Sequence, residues 1–255
     1  MEEKGVKIRG IEIGNGMPKI CVPIVEKNRE NILLQAQLVS RESPDIVEFR
    51  ADWYEDMENW EKMEGLLMEL RQIIGNIALL FTVRTKREGG NAEISSGDYR
   101  CLCERVCRSG YIDLIDVEAY MEEDLLRQIC KNAHEIGVYV VASNHDFDKT
   151  PSEEEIVERL CFMDQNGADI PKIAVMPQSE GDVLTLLCAT QKYKTTGGIK
   201  PVITMSMSGK GVISRLAGEI FGSAVTFASI GKSSAPGQIP IDEVRRVLEV
   251  IHMYC

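Results

Sequence analysis

A chain of 255 residues with 44% hydrophobic and 27% charged side chains is long enough for a well-buried core and has the composition of an ordinary globular enzyme. Its net charge of −11 argues against sequence-independent nucleic-acid binding, which rests on Lys and Arg neutralising phosphates, and against an anionic membrane surface. No apolar run is long enough to span a bilayer, and the opening MEEKGVKIRGIEIG holds no apolar segment of the secretory kind, so the expectation is a cytoplasmic protein.

In chain order, Val6–Ile13 alternates apolar and polar residues and predicts a small hairpin. From there short apolar runs alternate with amphipathic stretches. The predicted strands are Lys19–Ile24, Asp45–Arg50, Ala78–Arg84, Ile112–Val117, Val138–Ser143, Ile170–Met176, Pro201–Ser206 and Ala224–Ile230. They are rich in Ile, Val and Leu, as parallel strands covered on both faces should be. The predicted helices are Asn28–Val39, Met57–Ile74, Gly97–Ser109, Glu122–Ile136, Ser152–Asn166, Asp182–Tyr193, Lys210–Phe221 and Ile241–His252. Ser152 with Glu155 spells a capping box after Pro151, and Asp242 is an acidic first-turn residue. Gly75, Gly110, Gly137 and Gly167 fall just past helix ends, where a left-handed residue is wanted.

Strands alternating with helices in this way define an α/β protein with a parallel sheet and right-handed crossovers. Eight of each fit best a closed (β/α)8 TIM barrel, with the N-terminal hairpin capping its bottom; an open doubly wound sheet is the alternative. No Pro/Gly/Ser-rich linker, low-complexity tract or internal repeat divides the chain, so residues 1–255 read as a single barrel domain. Among the eight cysteines, Cys101, Cys103 and Cys107 lie close in sequence. On a helix Cys103 and Cys107 share a face that Cys101 does not, which suits a structural role better than a metal cluster.

In a barrel of this kind the C-terminal strand ends carry chemistry, so polar residues within apolar strands are the informative ones. Lys172 lies in Ile170-Pro-Lys-Ile-Ala-Val-Met176 and shares a strand face with Ala174 and Met176. It either snorkels to the strand's start or is buried and functional, since burial favours the neutral amine that attacks carbonyls. His145, one of three histidines, ends the fifth strand, where it suits proton transfer or merely bonds a loop carbonyl. Glu48 and Arg50 share a face of the second strand. Arg84 ends the third, with Glu88 in the loop beyond, and Asp116 and Glu118 end the fourth. Each fits a structural salt-bridge ring; together they gather Glu, Arg, His and Lys on one rim. Arg215 follows the seventh strand and the loop 231–238 follows the eighth, two places where barrels bind anions. Met205 and Met207 share a strand face and read first as core. Gly209-Lys210-Gly211 is no P-loop, and Gly14-x-Gly16 precedes a strand and is no dinucleotide fingerprint.

Seven segments, in this order and spacing, resemble the type I 3-dehydroquinate dehydratases. They are Glu48-Phe-Arg50, Phe81-Thr-Val-Arg84 with Glu88-Gly-Gly90, Ser143-Asn-His-Asp-Phe147, Pro171-Lys-Ile-Ala-Val-Met-Pro-Gln178, Met205-Ser-Met207, Ser214-Arg-Leu-Ala-Gly-Glu219 and Ser234-Ala-Pro-Gly-Gln238. The resemblance covers the chain from about Lys19 to His252. It implies a lysine Schiff base at Lys172, general acid–base work by His145, and Glu88 as the carboxylate that orients that histidine. It assigns Glu48, Arg50, Arg84, Arg215, Ser234 and Gln238 to the substrate's hydroxyls and carboxylate, and Met205 and Met207 to the pocket wall. Pro23 stands where some relatives have Ser. The resemblance further implies 3-dehydroquinate as the small-molecule partner, no metal, no cofactor, and a homodimer. A class I aldolase or transaldolase, or a barrel that only binds, is the alternative function.

Overall fold

The computed structural model describes residues 5–231 and 235–255. A two-stranded hairpin, β1 (Val6–Ile8) and β2 (Ile11–Ile13), opens the chain. The eight barrel strands follow: β3 (Lys19–Ile24), β4 (Ile46–Arg50), β5 (Ala78–Thr82), β6 (Leu114–Glu118), β7 (Tyr139–Asp146), β8 (Ile170–Val175), β9 (Ile203–Ser206) and β10 (Val225–Ser229). Each pairs in parallel with the next from β3 to β9, and β10 returns to pair with β3. The remaining seam, between β9 and β10, is held by the parallel bridge Val202↔Ser223 and by Ala224 N–H donating to Val202 O at 2.7 Å. The sheet is thus a closed (β/α)8 barrel.

Between the strands run α1 (Arg29–Arg41), α2 (Trp60–Ile74), α3 (Ser96–Arg108), α4 (Leu125–Ile136), α5 (Glu153–Gln165), α6 (Glu180–Thr195), the short pair α7 (Val212–Leu216) and α8 (Gly218–Phe221), and the closing α9 (Ile241–Tyr254). Asn28, Asn59, Ser95, Ser152 and Ser179 each accept a backbone N–H at a helix start. The capping box expected at Ser152 is only half formed, because Glu155 turns its carboxylate to Arg159. A complete box forms instead at Ser179 with Asp182, so α6 starts two residues before the expected Asp182. Gly75, Gly110, Gly137 and Gly167 all take positive φ at helix ends, as expected.

Strand alternation sorts the interior into two shells. Outward residues such as Val47, Phe49, Leu79, Phe81, Val140 and Val175 join the helices in the larger core. Inward residues Cys21, Ile46, Leu80, Leu114, Val141, Ile170, Ile203 and Val225 fill the barrel's lower half. Val6, Ile8 and Ile13 of the hairpin seal that half from below, and Arg9 fastens it through Nε to Asp113 at 2.6 Å.

Most limits differ from the sequence expectation by a few residues, and two differences matter for the site. β7 runs to Asp146 rather than Ser143, because pairing with β8 continues through Asp146↔Val175 although Asn144, His145 and Asp146 break the apolar pattern. The helix expected over Lys210–Phe221 is two short ones that meet at Ala217. The break brings Gly218 so close to Ser223 that a Cβ would stand 2.6 Å from its carbonyl oxygen. A two-residue strand β11 (Ile239–Pro240), not expected, pairs in parallel with β10.

Candidate active site

Further up each strand the same inward positions change character. Glu48 and Arg50 on β4, Thr82 on β5 with Arg84 just beyond, Asp116 and Glu118 on β6, Ser143 and His145 on β7, and Lys172 on β8 face one another at the C-terminal mouth. The pocket there has an empty volume of about 510 Å³, part of it open solvent. It is lined by Glu48, Arg50, Arg84, Glu88, His145 and Lys172, and on its apolar side by Met205, Met207, Phe147 and Phe227.

Lys172 is 3% exposed and faces the barrel interior. Its Nζ donates to Asp116 Oδ2 at 2.9 Å, stands 4.0 Å from Glu48 Oε1, and lies 4.7 Å from the centroid of the Phe227 ring. Its nearest charged neighbours are therefore carboxylates rather than Arg84 and Arg215. Glu48 is itself fixed by the Thr82 hydroxyl at 2.9 Å. Asp116 also accepts from Ser143 Oγ and from Arg84 Nη2, both at 2.6 Å. Burial alone would raise the Asp116 pKa, but the Arg84 and Lys172 cations outweigh it and hold this carboxyl below the usual carboxylate range. Arg84 completes the cluster through Nη1, at 3.1 Å from Glu118 and 2.9 Å from Ser143 Oγ. Glu118 in turn accepts the Thr85 N–H and hydroxyl at 2.8 and 2.7 Å, so it serves the loop rather than the cavity.

The loop after β5 exists to bring one carboxylate back over the mouth. A 3₁₀ turn at Lys86–Glu88 is followed by Gly89, at positive φ, and Gly90. A Cβ on Gly90 would sit 2.0 Å from the Arg84 carbonyl oxygen, so only glycine lets the loop fold back on itself. Glu88 is thereby buried, and its Oε2 accepts from His145 twice, from the ring Nδ1 at 2.9 Å and from the backbone N–H at 3.1 Å. Arg84 Nη1 lies 3.4 Å from the same oxygen. Burial is the largest influence on Glu88 and raises its pKa to about 7; Arg84 opposes that, and the Glu118 charge adds to it. Burial, with the Arg84 and Lys172 charges, drives the His145 pKa well below its ordinary value. The ring is therefore neutral near pH 7. With Nδ1–H given to an ionised Glu88, Nε2 carries the lone pair and can take a proton.

Arg50 is held bidentately by Asp52, at 2.8 and 2.9 Å. Asp52 also receives the backbone N–H groups of Arg84 and Asn91, which ties three segments of the rim together. Arg215, on α7, is 2% exposed and behaves differently. Its Nη2 donates to Pro236 O at 3.1 Å, its Nη1 points at Met205 Sδ at 3.7 Å, and its Nε finds no partner among the described residues. No carboxylate pairs with it there, and burial lowers its pKa to about 10.

The model of the family described as type I 3-dehydroquinase matches residues 20–255. The chain belongs to the type I 3-dehydroquinases. The 3-dehydroquinate dehydratase of Clostridioides difficile strain 630 is 49% identical over 250 residues, 98% of each chain. That of Listeria monocytogenes serotype 4a is 49% identical over 247 residues, 97% of this chain and 98% of the relative. A solved structure of the Clostridium difficile type I enzyme, obtained with covalently modified comenic acid, superposes with a TM-score of 0.96 at 48% identity and covers 99% of both chains. The Geobacillus kaustophilus enzyme superposes at 0.95 with 44% identity, over 98% of this chain and 97% of its own.

Of the positions that the sequence assigns to a type I 3-dehydroquinase site, Lys172, His145, Glu88, Glu48, Arg50, Arg84, Met205, Met207 and Gln238 line this one pocket. Arg215 stands behind Met205. Ser234 lies outside the described residues. Pro23 is buried and pairs in register with Glu48. Four contributors escaped the sequence reading: Asp52, Asn144, Ser143 and Phe227. Asp52 follows Arg50 by two residues, a spacing that could have signalled the bidentate pair. Asn144 and Ser143 were in view only as letters of a motif.

Proposed function

We propose that this type I 3-dehydroquinase is a lyase that converts 3-dehydroquinate to 3-dehydroshikimate in the shikimate pathway, through an imine on Lys172. The observation that carries the reading is one pocket holding a buried lysine amine and a neutral histidine backed by a carboxylate. Lys172 Nζ passes a proton to His145 Nε2 and attacks the C3 ketone, and His145 returns that proton to the carbinolamine oxygen as it leaves. The carbinolamine loses water and leaves a protonated imine. The C2–H bond is then weakened, because its electron pair can flow into the C=N bond. His145 Nε2 takes that proton, and the enamine electrons expel the C1 hydroxyl as His145 returns a proton to it. Water hydrolyses the imine, freeing the conjugated product and the amine. Glu88 stabilises the imidazolium that forms in between. Asp116 stays ionised beside Lys172 and holds the amine toward the ketone.

Arg215 supplies the substrate carboxylate with charge-assisted bonds. A buried guanidinium without a carboxylate partner among the described residues supports that role. Glu48, Arg50, Arg84, Ser234 and Gln238 bind hydroxyls and the carboxylate, and Met205 and Met207 shape the ring's apolar seat. The chemistry calls for no metal or cofactor. The family resemblance also supports a homodimer working in the cytoplasm and one catalytic barrel over residues 1–255. Purified protein mixed with 3-dehydroquinate should generate the ultraviolet absorbance of a conjugated enone acid. No absorbance rise with folded protein would reject the activity.

A further inference from the structure

A chain of hydrogen bonds leaves the catalytic pair through the barrel wall. Asn144 lies between Ser143 and His145 on β7, so its side chain departs on the helix side of the sheet while theirs face the pocket. Its Nδ2 donates to Glu88 Oε1 at 3.2 Å. Its Oδ1 accepts from Arg159 Nη1, on α5, at 2.7 Å. Arg159 is anchored one turn back by Glu155.

The order of donors along this chain is forced. A guanidinium only donates, so the end of the Asn144 amide that faces Arg159 must be the oxygen. The NH₂ end is then left facing Glu88, and Glu88 must accept. Asn144 thus occupies Oε1, while His145 and Arg84 occupy Oε2. A carboxylate surrounded by donors must itself be the acceptor from His145 Nδ1–H, and that sets the tautomer with a free Nε2. Without Arg159 the amide could turn over and present its oxygen to Glu88, leaving two acceptors face to face.

We propose that Arg159 and Asn144 are positioning residues for the reaction: together they hold Glu88 in the orientation and charge state that make His145 a base. The inference rests on the proposed roles of His145 and Glu88. The charged and titratable groups around Glu88 are Arg84 just beyond β5, Asp116 and Glu118 from β6, His145 from β7, Tyr120 from the loop after β6, and Arg159 with Glu155 from α5. Asp116 and Glu118 disfavour its ionisation and Arg84 favours it. The Asn144 amide is the neutral donor that tips this balance toward the carboxylate.

The test is the pH dependence of kcat/KM for 3-dehydroquinate in wild type, Asn144→Leu, Arg159→Met and Arg159→Lys. Asn144→Leu should move the acid limb of the profile upward by about one pH unit, the size expected when a carboxylate loses one amide donor. Its kcat at pH 7 should fall about fivefold, with KM little changed, because the ionised fraction of Glu88 drops from about a half to about a tenth. Arg159→Met should shift the limb the same way by a smaller amount, and Arg159→Lys, which still donates, should restore the wild-type profile. A loss of activity equal at every pH, with the limb unmoved, would reduce both residues to scaffolding and overturn the proposal. So would superimposable profiles. If Asn144→Leu fails to fold, the two Arg159 variants decide alone: they alter only the half-exposed end of the chain. Borohydride trapping of wild type on Lys172 is the control, since its failure would reject the underlying mechanism and not this assignment.

Discussion

Arg84 and Arg215 are both buried at the same mouth, yet the walls that hold them are opposites. Arg84 sits among Asp116, Glu118 and Glu88 in the β5–β7 wall, where each charge has a partner before any substrate arrives. Arg215, on α7, leans on a thioether and a carbonyl and has no carboxylate among the described residues. A buried guanidinium is costly without a counter-charge. The first wall is thus electrostatically complete as it stands. The second is unfinished, and on the proposed reading the substrate's carboxylate completes it. Stability and function should separate along the same line.

The largest effect should come from the finished wall. His145→Ala should slow turnover about 10²–10⁴-fold, the usual worth of general acid–base help, while equilibrium binding of product stays close to wild type. Steady-state kinetics beside a binding titration would show this, and unchanged kcat would remove His145 from the reaction. Arg84→Met should cost about 3–5 kcal/mol of folding stability in denaturant titration, because it removes the cation shared by three buried carboxylates. Arg215→Met should weaken substrate binding by about 2–5 kcal/mol and yet leave the denaturation midpoint unchanged or higher, since it removes a burial cost rather than a pair. Equal destabilisation by the two substitutions would erase the contrast between the walls.

The smallest effect is a pH dependence. Burial lifts Glu88 to about 7, so lowering the pH through 7 protonates it. A protonated Glu88 donates to His145 Nδ1 and leaves the proton on Nε2, the wrong tautomer for a base. Hence kcat/KM should rise with pH through about 7 and then level off, as the apparent constant of the coupled Glu88–His145 pair. A profile flat from pH 6 to 8 would contradict this.

The architecture was legible because each barrel strand carries an apolar run, and eight such runs separated by amphipathic stretches leave few topologies. The hairpin at Val6–Ile13 was legible from its alternation, which matches buried Val6, Ile8 and Ile13. What failed was local. Asn144-His-Asp146 lies within β7 although polar residues do not announce a strand, because a barrel strand may be polar where it reaches the mouth. The break at Ala217 goes with a close approach of Gly218 to Ser223, just ahead of β10, a contact that the apolar pattern does not encode. In the site, Lys172, His145 and the rim charges stood out as polar letters in apolar strands. Their pairing did not, because the distance from Lys172 to Asp116 is set by barrel curvature and not by spacing along the chain. Nor does any spacing in the chain single out Asp116 and Glu48 as the carboxylates beside Lys172. Asn144 acts on other side chains and gives no signal of its own in sequence, whereas Asp52 could be read only from its spacing to Arg50.

The central claim is that Lys172 forms a covalent imine with the ketone, and borohydride trapping tests it most directly. Enzyme incubated with 3-dehydroquinate and reduced with borohydride should gain the mass of one ligand on the peptide containing Lys172 and lose activity irreversibly. Lys172→Met, similar in length and folded, should gain no mass and show almost no turnover. Full activity with no trapped adduct, or an adduct on another lysine, would contradict the account.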